Sequence, residues 1–133
     1  MTSLLEVRHV STAIARPPED VYAFASKVEN LPRWASGLAG SITEENGQWV
    51  AESPLGRITI RFAAKNAFGV LDHDVVLPSG KTVHNALRVV PNGQGSEVVF
   101  SVFREPGVTD EKFETDVSWV AKDLKALKDL LEK

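Results

Sequence analysis

The chain has 133 residues, enough for one domain (residues 1–133) and too few for two ordinary ones, and its 43% hydrophobic and 25% charged residues exclude the composition of a disordered chain. It has no cysteine, so disulfides, thiolate metal sites and a cysteine nucleophile are ruled out, and its net charge of −3, with acids and bases interspersed, leaves no basic face for nucleic acid. No apolar run approaches the roughly 20 residues that span a bilayer, and Met1 to Val10 lacks a signal-peptide core, so no membrane insertion and a cytoplasmic setting are expected.

Leu5 to Ala15 reads as a first strand, rich in β-branched residues and stopped by Arg16-Pro17-Pro18. Pro18 followed by Glu19 and Asp20 starts a helix, because acids there meet the positive end of the helix dipole. Val21, Phe24, Ala25 and Val28 continue it at helical spacing. A second short helix follows through Leu31-Pro32-Arg33-Trp34, with Asn30 expected as its cap and Gly37 and Gly40 ending it. Then the pattern turns to strands: Gly40 to Glu45, Gln48 to Ser53, Arg57 to Ala64, Val70 to Leu77, Lys81 to Val90 and Glu97 to Arg104. Asn46-Gly47 is a type I′ hairpin signal, since both residues tolerate positive φ; Pro54-Leu55-Gly56, Pro78-Ser79-Gly80 and the run Pro91 to Gly95 punctuate the rest. Thr109 caps a final helix to Glu132, where Phe113, Val117, Val120, Leu124, Leu127 and Leu131 form one apolar stripe. That helix runs roughly 35 Å at 1.5 Å per residue. Its stripe must be buried, and only the sheet is large enough to bury it. The fold class is therefore α+β: a seven-stranded curved antiparallel sheet, in the order β-α-α-β6-α, wrapped around a long C-terminal helix.

Three stretches are notable: Ile14 to Tyr22, Asn30-Leu31-Pro32-Arg33-Trp34, and Arg88 to Gly93 leading through Phe103-Arg104 to the closing helix. In these the chain resembles the START/Bet v 1-like helix-grip superfamily (SRPBCC), in its polyketide cyclase/dehydrase-like branch. The resemblance implies a pocket between the concave face of the sheet and the last helix. It carries over no catalytic residue by motif, because fold alone does not fix function.

Strand alternation assigns the lining. If Ile58, Ile60 and Phe62 face inward, so do Leu71, Val75 and Leu77, then Val83, Leu87 and Val89, then Val98, Phe100 and Val102. Three polar residues share those phases: His73, Asn85 and Arg104. Asp72, Asp74, His84, Arg57, Arg61 and Arg88 fall on the outer face, so Asp72-His73-Asp74 is split between faces and no metal site is expected. His73 is a candidate general base, with a structural histidine as the favoured alternative. Tyr22, the single phenol, is a second catalytic candidate, with a core residue whose tip meets water as the favoured alternative. Asn85 would orient a ligand oxygen or bond across strands; Arg104 would clamp a ligand carboxylate or pair with Asp110 or Glu111. Trp34 and Trp49 are candidates for stacking on a flat ligand, with core packing as the favoured alternative; Phe100 is a further ligand-binding candidate, and Trp119, beside the main stripe, flanks the cavity or a homodimer contact. No cofactor is implied. Three functions compete: a binder of a small hydrophobic or aromatic molecule, a cyclase/dehydrase-type enzyme using His73 or Tyr22, and a chaperone co-activator-like interaction module. The last predicts a filled core and an exposed apolar patch of several hundred Å².

Overall fold

The computed structural model describes residues 4–35 and 42–133. Seven strands form one antiparallel sheet in the order β1-β7-β6-β5-β4-β3-β2. They are β1 (Val7–Ile14), β2 (Ile42–Glu45), β3 (Gln48–Ser53), β4 (Gly56–Phe62), β5 (His73–Val76), β6 (Thr82–Asn92) and β7 (Gly95–Phe103). Helix α1 (Pro18–Ala25), a 3₁₀ turn (Val28–Asn30) and α2 (Leu31–Trp34) lie between β1 and β2, and α3 (Asp110–Leu131) closes the chain. First and last strands are neighbours, with Val7 opposite Phe103 and Ile14 opposite Ser96. This is the helix-grip arrangement.

The turns form for the reasons written in the sequence. Asn46 and Gly47 adopt φ values of 54° and 79°, the left-handed pair that a two-residue hairpin needs. Thr109 caps α3 by accepting the Lys112 N–H at 3.1 Å, and Asp110 and Glu111 occupy the first turn.

Three boundaries differ from expectation. Asn30 does not cap α2: its backbone is already helical, and its Nδ2 donates instead to Phe24 O at 3.0 Å. Pro91 does not end β6, which pairs on to Asn92 opposite Gly95; β5 stops short of this end, so the missing N–H of Pro91 costs no ladder bond. Strand β5 begins at His73 rather than Val70, and Val70 keeps only an isolated bridge to Arg88. Gly37 and Gly40, expected to end the second helix, lie outside the described residues.

Candidate ligand-binding site

Directly opposed residues of an antiparallel pair share a face, so the register assigns the inner surface. Phe62, His73 and Asn85 form one row across β4, β5 and β6; Leu87, Phe100 and Val10 form another across β6, β7 and β1. Trp49, Ile60, Val75 and Val83 make a third. The outer face carries the charges: Asp72 accepts from Arg88 Nε at 2.8 Å and Nη2 at 2.7 Å, and Asp74 meets His84 Nδ1 at 2.7 Å. The Arg88 guanidinium holds the Asp72 carboxyl below its usual range. The triplet 72–74 is thus divided between two faces, and among the described residues no cluster of three or more His, Asp or Glu could hold a metal ion.

The start of β5 explains why His73 and Asp72 are adjacent. Leu71 N–H donates to Leu87 O at 2.8 Å, but the reciprocal ladder bond is absent. Leu87 N–H donates instead to Asp72 Oδ1 at 2.9 Å, and the freed Leu71 carbonyl takes His73 Nδ1 at 3.0 Å. Two side chains therefore repair one opened rung, satisfying backbone groups that burial would otherwise penalise. The ring of His73 stacks on Phe62 with centroids 4.8 Å apart and meets Phe100 edge-on at 6.4 Å. Burial, opposed by the bond to Leu71, pushes its pKa below the ordinary 6.5, so the ring is neutral at pH 7. A carbonyl can only accept, so the proton sits on Nδ1. Nε2 keeps its lone pair, with no partner among the described residues.

The other candidates divide. Asn85 lies beside His73, half-buried, and its amide makes no hydrogen bond among the described residues. Trp49 and Phe100 are half-buried on the inner face. Trp34 is buried in the core, and its Nε1 is the one fully buried side-chain polar atom without a partner among the described residues. Arg104 is taken up by protein: Nε donates to Val108 O at 2.9 Å, Nη1 reaches Glu6 at 3.2 Å and Asp110 at 2.6 Å, and the guanidinium lies over Phe113. Its Nε and Nη1 donors are thus committed to protein groups. Trp119 points away from the sheet, about 200° around the helix from Val117, and packs under the Lys122 ammonium at 5.0 Å. It does not line the inner space. Tyr22 sits on α1, where its hydroxyl accepts the Asn66 N–H at 3.0 Å.

Helix α3 is seated unevenly. Phe113 near one end and Leu124, Leu127 and Leu131 near the other are buried, whereas Val117 and Val120 between them are half-exposed. The contiguous core takes in Leu124, Leu127 and Leu131 together with α1, α2 and the sheet, but not Phe113 or Val102. Along its length α3 packs chiefly on β1, α2 and β7. Val10, Phe100 and Val120 are half-buried and pack against that core.

Strand and helix patterning did not reveal one further feature. A cleft of about 500 Å³ opens between α1 and the β4–β5 connection, floored by Phe62 and Leu71 and flanked by Tyr22, Lys27 and Lys65. Asn66 shapes its wall: Oδ1 accepts from Phe68 N and Val70 N, and Nδ2 donates to Ala64 O and Val70 O, each at 3.0 Å. Gly69, at φ 72°, lets this connection lie on β6, since a Cβ there would sit 2.2 Å from Val89 O. An Asn three residues before a Gly was the available signal.

Exposed large apolar side chains among the described residues are Leu4 and Leu5 before β1, Leu55 and Phe68 on turns, Val90 and Phe103 on separate strands, and Trp119 on α3. Among the described residues no helix is long and apolar enough to cross a membrane.

Solved structures share this fold at low identity. The protein XoxI from Bacillus cereus is 19% identical over 96% of both chains, with a TM-score of 0.74. The Aha1 dimer from Colwellia psychrerythraea is 15% identical over 96% of this chain and 97% of that one, with a TM-score of 0.73. A START superfamily protein from Mycobacterium smegmatis is 15% identical over 95% and 97%, with a TM-score of 0.66. Comparison with curated proteins finds no match. The family model described as polyketide cyclase / dehydrase and lipid transport matches residues 7–132, nearly the whole chain, and the protein belongs to that family.

Proposed function

We propose that the protein binds one small hydrophobic or aromatic molecule between the inner face of the sheet and the middle of α3. The uneven seating of α3 carries this reading. A helix whose stripe is buried at Phe113 and at Leu124, Leu127 and Leu131 but only half-buried at Val117 and Val120 is sealed less tightly to its sheet in the middle than at its ends. Val10, Phe100 and Phe62 offer apolar and aromatic surface, while His73 Nε2 and the Asn85 amide stand unpartnered among the described residues. Apolar walls with a few oriented polar groups are what a small-molecule site requires. Both activities in the family description, cyclase/dehydrase chemistry and lipid transport, take an apolar guest. Native mass spectrometry of the freshly purified protein tests it: a small molecule released on mild activation is expected, and a uniformly empty protein that no apolar compound stabilises would contradict it.

One observation favours catalysis as a second reading. His73 is neutral, with Nε2 available as a base, and Asn85 is its cross-strand neighbour and could hold a substrate oxygen. Tyr22 and Arg104 add little to that reading, since the first holds a loop and the second is already paired.

A further inference from the structure

We infer that the bound molecule is an amphipathic anion: an apolar body, lying toward Phe62 and His73, that ends in an acidic head group held at the mouth by Lys27 and Lys65. This rests on the binding reading above and adds the chemical class of the ligand. The cleft between α1 and the β4–β5 connection adjoins the proposed inner space, because Phe62 both floors the cleft and stacks on His73. A guest reaching the inner row from this side passes between the two lysines.

Three donors surround that mouth. Lys27 follows the C-terminus of α1 and Lys65 lies on the connection opposite; both are exposed, and neither has a carboxylate partner among the described residues. Most other basic side chains are already paired, including Arg8, Arg16, Arg57, Arg88 and Arg104. The third donor is Tyr22. Its oxygen accepts from Asn66 N–H, which leaves the phenolic proton to be given to an anion. The opposing charge is Glu19, in the first turn of α1, whereas Lys27 lies beyond the C-terminus of that helix and Lys65 is on the facing connection. Two ammonium groups on facing walls of a cleft with an apolar floor fit a carboxylate, sulfonate or phosphate carried on a hydrophobic body. A neutral guest would leave them idle.

Two fluorescent probes differing only in the head group test this. N-phenyl-1-naphthylamine is neutral, and 1-anilinonaphthalene-8-sulfonate is the same skeleton with a sulfonate. The wild-type protein is expected to bind both, the sulfonate more tightly. The double variant Lys27→Glu/Lys65→Glu should weaken the sulfonate roughly tenfold and leave the neutral probe unchanged. A control, Lys81→Glu/Lys133→Glu, makes the same change in net charge away from the cleft and should alter neither affinity. If both probes bind but the cleft variant does not separate them, or the control matches it, the anion inference falls and the binding reading stands. If neither probe binds the wild-type protein, both fall.

Discussion

His73 has two nitrogens with different duties. Nδ1 completes a backbone rung, and Nε2 has no partner among the described residues. Because burial depresses its folded pKa, the folded state binds fewer protons than the unfolded chain between that value and 6.5. Stability is then fully present above pH 6.5, falls as the unfolded chain takes up its proton, and levels off below the folded pKa. Urea unfolding at pH 7.5, 6.5 and 5.5 should show this decline in the wild-type protein. His73→Gln keeps a donor for Leu71 and should lack the step; an unchanged slope would refute the assignment. Alternation alone made the inward phase of His73 legible, because the side-chain period is two. Its bond to Leu71 was not legible, because nothing in one dimension marks an opened rung. The same limit applied to Arg104: its partner Asp110 was foreseen among the alternatives, but the additional hold of Glu6 and Val108 required the two chain segments to meet.

Helix α3 divides into two seats and a span. Leu127 is fully buried, so Leu127→Ala should cost about 3 kcal/mol through lost transfer energy and the cavity left behind. Val117 loses little contact on truncation, and alanine is the better helix former, so Val117→Ala should cost less than about 1 kcal/mol. Chemical unfolding of the two variants measures the difference, and equal losses would mean that the middle of the helix is packed like its end. The stripe, the N-cap and the hairpin at Asn46-Gly47 were readable because local chemistry dictates each. The boundaries of β5 and β6 were not. Val70 reads as strand by propensity, yet Asp72 and Asn66 recruit the neighbouring backbone for side-chain bonds, and Pro91 is tolerated because β6 outruns β5. Tertiary pairing overrode the local signal in both cases.

At the scale of the whole molecule, the order of elements was enough to place the chain in its fold, since a helix with one long apolar stripe has one surface to cover. The uneven burial of that stripe was not available from spacing. Val117 and Leu124 look alike in sequence, and only the course of the sheet decides which of them is sealed. The α1 cleft, with Lys27 and Lys65, escaped sequence reading because its walls come from segments about 40 residues apart. The most direct test fills the space under the middle of α3. Titration with N-phenyl-1-naphthylamine should give saturable fluorescence enhancement with the wild-type protein, and none with Val117→Trp, whose indole would occupy the same volume while far-UV circular dichroism stays unchanged. Equal binding by the folded variant, or no binding by either protein, would contradict a guest held between sheet and helix.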